Sequence, residues 1–144
     1  MTKGIQVHGV FLRRLYLANA AFLIAHEIDS AYWHEWDLFG LPGGIGGFVL
    51  LHIPLAAAVL WGLGALRTGA RSGLWMSLLL AVAGLSAGAI HGAFLLSGRP
   101  EFRTPVSIGV IAVTAFLSLV QVWATVRRLL AVDRRATAGR PYDG

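Results

Sequence analysis

The sequence predicts an all-α integral membrane protein, a bundle of four membrane-spanning helices with both termini in the cytoplasm. Hydrophobic residues make up 56% of the chain and charged residues only 13%, whereas a soluble domain carries about a quarter charged residues. Three uncharged apolar runs, 38–66, 74–97 and 104–126, each exceed the roughly 20 residues that cross a bilayer. Such a composition excludes a disordered chain, and the absence of cysteine excludes a disulfide scaffold.

The first span is less clear than the other three. It begins beside Arg13 and Arg14 and is mostly apolar over 15–25, but His26, Glu27 and Asp29 follow. An apolar stretch of that length is too short to span, so we expect the helix to continue through the acidic residues to about Trp36. The chain is then a single transmembrane domain with spans at 12–36, 44–66, 73–97 and 104–127 and a basic cytoplasmic tail at 129–144.

The positive charges predict the orientation. Ten of the twelve Lys and Arg residues precede the first span, lie between the second and third, or follow the fourth; Arg99 and Arg103 lie on the other side. The positive-inside rule then predicts a multi-pass protein of the inner (cytoplasmic) membrane. We interpret the basic tail as a topology determinant near anionic membrane lipid, and we expect no nucleic-acid partner.

Three histidines lie at one predicted depth. His26, His52 and His91 are on the first three spans, about 15, 13 and 12 Å from the outer ends at 1.5 Å per residue. Ionisable residues within spans are costly and face the bundle interior, which makes them candidates for function. The alternative for each histidine taken alone is a hydrogen bond between helices.

Carboxylates accompany these imidazoles. On a helix of 100° per residue, Asp29 lies about 60° from His26, and Glu27 lies about 100° away on a neighbouring face. His26, His52, His91 and Asp29 are therefore the predicted metal ligands, because three imidazoles and one carboxylate suit zinc or iron. Glu27 and Asp29 are the candidate catalytic bases acting on metal-bound water.

The remaining polar residues near the outer ends receive plainer interpretations. Glu35 and Asp37 are expected to be solvated loop residues, although the sequence leaves open whether His34, Glu35 and Asp37 belong to the site. Asn19 and Gln121 are expected to form hydrogen bonds between helices.

The motif His26-Glu27-Ile28-Asp29-Ser30, followed by His34-Glu35-Trp36, resembles a group of small bacterial four-span membrane proteins of unknown function. In that group the first span ends in His-Glu-x-Asp, with a Glu-Trp pair shortly after. The resemblance covers about a dozen residues and the four-span plan. It implies that the motif is a site, and it implies no reaction.

Three functions fit these residues. The first is a membrane metalloenzyme, a hydrolase or an oxygenase, acting on an apolar small-molecule substrate. The second is a b-type haem protein with two of the histidines as axial ligands. The third is a non-enzymatic proton relay, partner subunit or transporter, and as a transporter so small a bundle would have to be a homo-oligomer. His26-Glu27-Ile28-Asp29-Ser30 does not match the zinc-protease pattern H-E-x-x-H, because Ser30 occupies the second histidine position.

Overall fold

The structure is a computed structural model that describes residues 2–138. It contains no strand in that range, so the all-helical class is confirmed. Residues 139–144, the end of the predicted basic tail, lie outside the described residues. The helices are α1 (Thr2–Tyr32), α2 (Glu35–Leu38), α3 (Gly44–Thr68), α4 (Arg71–Leu96) and α5 (Pro105–Ala138).

Three helices are long and apolar enough to cross a membrane, judged by length and composition: α3, α4 and the stretch Pro105–Arg134 of α5. Helix α1 is as long, but it carries Arg13 and Arg14 near its middle and Glu27 and Asp29 near its end. Large apolar side chains on every long helix are exposed, for example Leu60 (70%) and Leu119 (59%). An apolar exterior of this kind is typical of helices that contact lipid.

Helix α1 ends at Tyr32 and does not continue to Trp36 as expected. His34 adopts left-handed backbone angles (φ 53°, ψ 49°), which an α-helix of L-residues cannot include. The chain therefore turns after α1, and Trp36 lies on the separate short helix α2.

A buried polar network joins three helices in the interior. The Asn19 amide of α1 donates to Ser118 Oγ and to Gln121 Oε1 of α5, both at 3.0 Å. The Gln121 amide donates to the carbonyl oxygen of Ser77 on α4 at 2.8 Å. None of these four side chains is exposed to solvent. The prediction that Asn19 and Gln121 form interhelical hydrogen bonds is confirmed.

Residues at intervals of seven form the inner faces of the helices. Positions seven apart differ by only about 20° around a helix, so they share a face. On α1 this face carries Asn19 and then His26. Small residues allow α4 and α5 to approach closely, since a Cβ at Gly84 would overlap Ser118 Oγ. The buried members of these faces are Asn19 and His26 on α1, Ser77, Gly84 and His91 on α4, and Ser107, Thr114 and Gln121 on α5.

Candidate metal centre

Two histidines and one carboxylate meet inside the bundle, near α2 and the loop between α4 and α5. His26 of α1, Glu35 of α2 and His91 of α4 each offer a ligand atom, and these atoms lie within 4.8 Å of one another. His91 Nε2 is 3.3 Å from Glu35 Oε1, and the two imidazole rings lie edge to face with centroids 4.6 Å apart. We call these three residues the His-His-Glu group.

Burial distinguishes the His-His-Glu group from a surface cluster. His26 and His91 are 2% and 1% exposed, and the Glu35 side chain is 12% exposed. A buried carboxylate needs a charged or hydrogen-bonding partner to remain ionised. Burial raises the pKa of Glu35, but His91 and Ser30 lower it more, so the pKa lies below its usual value.

The turn after α1 gives Glu35 its position. The left-handed His34 reverses the chain, and its carbonyl oxygen accepts a hydrogen bond from the Asp37 backbone at 2.9 Å. The buried Trp36 packs on Phe48 of α3 with ring centroids 5.5 Å apart. These contacts hold α2 against the bundle, and the residue before Trp36 reaches the two imidazoles.

Phe102 closes the group on the side of the α4–α5 loop. Its ring centroid is 4.1 Å from that of His91, and its side chain is 0% exposed. Its φ of 62° lies in the left-handed region, where a non-glycine residue is strained by about 1–2 kcal/mol. Packing of the buried ring compensates this strain, and the aromatic wall shields His91 from water.

Several polar atoms near these residues lack hydrogen-bond partners within residues 2–138. They include the Nδ1 atoms of both His26 and His91. Leaving a buried polar atom unpaired costs about 1–3 kcal/mol, so native proteins contain few such atoms. Such atoms lie on the two imidazoles of a group that could hold a metal ion.

The structure brings together only part of the predicted ligand set. His52 is outside the His-His-Glu group, because its Nε2 contacts Glu27 Oε2 at 2.7 Å and its Nδ1 contacts the carbonyl oxygen of Phe48 at 2.6 Å. Both nitrogens of His52 are thus occupied. Asp29 is also outside the group, and its Oδ1 accepts a hydrogen bond from Ser107 Oγ at 3.0 Å.

Glu35 is the ligand candidate that sequence reasoning missed. It was expected in a solvated loop, whereas it lies in α2 and is largely buried. Asp37 and His34 are exposed. The neighbouring Trp36 was the available signal that this segment is not solvated. A tryptophan next to apolar helices tends to be buried against them, and its burial also holds the adjacent residues close.

Residues 12–128 match a protein family of unknown function, DUF6713. The chain belongs to this family. The part that matches DUF6713 contains all three residues of the His-His-Glu group, and the family carries no assigned reaction. No curated protein and no solved structure matches the chain.

Proposed function

We propose that this protein is a multi-pass protein of the inner membrane that binds one divalent transition-metal ion through His26, His91 and Glu35. The distance of 3.3 Å between His91 Nε2 and Glu35 Oε1 carries the proposal. Zinc binds nitrogen and oxygen at about 2.0–2.2 Å in a tetrahedron, which places neighbouring ligand atoms about 3.3–3.5 Å apart. The spacing of the pair fits two ligands of one ion as well as a direct ion pair, and the metal content of the protein decides between them.

The topology in this proposal has four spans, with α1 as the first. The second, third and fourth are α3, α4 and α5, and the cytoplasmic side holds both termini and the turn around Gly69. Helix α2 and residues 97–104 lie at the outer surface. This arrangement is supported by the arginines Arg67, Arg71, Arg127 and Arg128, which all lie at the cytoplasmic ends.

The donor set supports an enzyme more than a structural metal site. Two histidines and a carboxylate are the ligands of many catalytic zinc sites and of non-haem iron oxygenases, and both keep a coordination position open. Structural zinc sites instead have four protein ligands. We therefore propose a metal-dependent hydrolase if the ion is zinc, and an oxygenase if it is iron, with a lipid-soluble substrate.

The geometry favours a single ion over haem. A haem held by two histidines has its porphyrin between the imidazoles, but the rings of His26 and His91 are in edge-to-face contact. His52 offers no substitute, since both of its ring nitrogens have partners.

The test is the metal content of purified protein. Wild-type protein is produced in cells supplied with zinc or iron, extracted in mild detergent and analysed by elemental mass spectrometry beside Glu35→Gln and His91→Gln. His52→Gln is the matched control, because it removes an imidazole at similar depth outside the group, and His34→Asn is a control for the turn.

We expect about one ion per chain in the wild type and in both controls. We expect a loss of at least tenfold in Glu35→Gln and His91→Gln, with helix content by circular dichroism unchanged. Metal-free wild-type protein under both supplies would refute the proposal and favour the non-enzymatic alternative. Equal metal in Glu35→Gln, or loss of metal in His52→Gln, would place the ion elsewhere.

A further inference from the structure

A long apolar groove runs between α1 and α3, with α4 as its floor, and encloses a cavity of about 680 Å³. It has no part in the His-His-Glu group. Its walls are apolar apart from Glu27, His52 and Tyr16, and the Tyr16 hydroxyl donates to the carbonyl oxygen of Val59 at 2.9 Å. Glu27 and His52 are therefore the polar side chains of the groove that remain for contact with a ligand.

The groove is open to the surroundings of the protein along its length. Its walls include Ile28 (67% exposed), Ile53 (60%) and Leu60 (70%). From Phe48 to Leu60 it follows α3 for about 18 Å at 1.5 Å per residue. In the proposed topology this opening faces lipid, and its length is about three-fifths of the roughly 30 Å hydrocarbon core. It therefore accommodates an extended segment of a hydrocarbon chain.

Glu27 and His52 contact each other at the side of the groove. His52 Nδ1 is 2.6 Å from the carbonyl oxygen of Phe48, and His52 Nε2 is 2.7 Å from Glu27 Oε2. Both ring nitrogens of His52 and one oxygen of Glu27 therefore have partners within the described chain.

One hydrogen-bonding position of the pair remains for a ligand. The described residues give Glu27 Oε1 no hydrogen-bond donor, and the side chains of His52 and Glu27 are 24% and 33% exposed. Glu27 Oε1 is therefore free to accept a hydrogen bond from a group in the groove. Because His52 lies about 12 Å from the outer end of α3, a charged or zwitterionic lipid head group would have to leave the membrane surface to reach it, at high cost.

We propose that this groove binds a neutral single-chain lipid with a small hydroxyl head group, such as a long-chain alcohol, and that the hydroxyl donates to Glu27. The chain lies along the aliphatic walls of α1 and α3. Binding at this site does not depend on the metal ion, because none of the three proposed ligands lines the groove.

The experiment uses the full-length protein in lipid nanodiscs and hexadecanol that carries a photoreactive diazirine. Labelled peptides are mapped by mass spectrometry, with photoreactive palmitic acid and a photoreactive alkane as comparison probes. Leu60→Trp fills the groove from α3, whereas Leu119→Trp is the matched control, an exposed leucine of α5 outside the groove. Glu27→Leu removes the acceptor.

We expect saturable labelling by the hexadecanol probe in α1 and α3, displaced by unlabelled hexadecanol. Leu60→Trp should abolish the labelling and Leu119→Trp should leave it unchanged. Glu27→Leu should weaken half-saturation about fivefold, the loss for one hydrogen bond of about 1 kcal/mol. The wild-type concentration dependence should persist in Glu35→Gln, which separates failure of this proposal from failure of the metal site.

Three results would overturn the proposal. Labelling spread equally over α5 would show general lipid contact. Equal saturable binding of the alkane or of palmitic acid would show that the Glu27–His52 pair does not select the head group. A dimer in nanodiscs with α1 and α3 cross-linked between two copies would show that the groove is an interface between chains.

Discussion

Gln121 joins three helices in the interior, and its replacement by leucine should destabilise the protein measurably. Its side chain donates to Ser77 of α4 at 2.8 and 3.1 Å, to the carbonyl oxygen and the hydroxyl, and accepts from Asn19 of α1 at 3.0 Å. Interhelical hydrogen bonds in membranes contribute about 0.6 kcal/mol each on average. Loss of all three predicts a decrease of about 2 kcal/mol in the free energy of unfolding, or roughly a 30-fold change in the folded-to-unfolded ratio.

The free energy of unfolding can be measured in mixed micelles of mild detergent and dodecyl sulfate, followed by circular dichroism and by tryptophan fluorescence. Ser97→Ala is the matched control. It also removes one side-chain hydrogen bond, at 2.9 Å to Phe94, but the bond is exposed and lies within one segment of chain. We expect Ser97→Ala to change the stability by less than about 0.5 kcal/mol.

The stability of Gln121→Leu also tests which contacts position His26 within the His-His-Glu group. Asn19 lies two helical turns from His26 on the same face of α1, so the bonds at Asn19 fix the register of α1 against α5. A Gln121→Leu variant as stable as the wild type would show that apolar packing alone sets this register. The polar network would then have no energetic role in positioning His26.

Two further predictions concern packing and topology. Gly84→Ala should destabilise the protein by about 1–3 kcal/mol, because the new methyl group would overlap Ser118. Gly64→Ala is the control and should be neutral or stabilising, because the space at its Cβ is open. Both are measured by unfolding in mixed micelles, and equal stability of the two variants would contradict the close approach of α4 and α5. The chain has no cysteine, so a single introduced cysteine reports the side of the membrane on which it lies. A membrane-impermeant maleimide should label Arg99→Cys in intact spheroplasts and Thr68→Cys only after lysis. The reverse pattern would refute the proposed orientation.

The apolar helices were predictable because length and hydropathy define them directly. Predicted spans at 44–66 and 73–97 correspond to the helices Gly44–Thr68 and Arg71–Leu96. Helix α5 continues beyond the predicted end of its span to Ala138. Arginine, leucine and alanine dominate this extension and favour helix, so the apolar run marks where a membrane would end, not where the helix ends.

The depth of the histidines was informative, but their direction around the helix was not. His26 and His91 meet as expected, yet His52, at a similar depth, contacts Glu27 beside the groove. Helix α3 is apolar on every side, so hydropathy does not show which face is turned inward. The position of Glu35 depends on the left-handed backbone of His34, which no periodicity in the sequence indicates.

The pairing of the acidic residues reduces the number of ions that the bundle needs. Buried carboxylates in a span indicate a bound cation only where no other group pairs with them. Glu27 has His52 as a partner, and Asp29 Oδ1 accepts from Ser107, although Asp29 Oδ2 has no partner in the described chain. Only Glu35 lies among two imidazoles whose Nδ1 atoms have no partner in the described chain. Glu35 is therefore the carboxylate of the proposed metal site, which needs one ion per chain. Glu35→Gln should then remove the metal and leave the hydrogen bonds of Glu27 and Asp29 intact, because neither depends on the charge of Glu35.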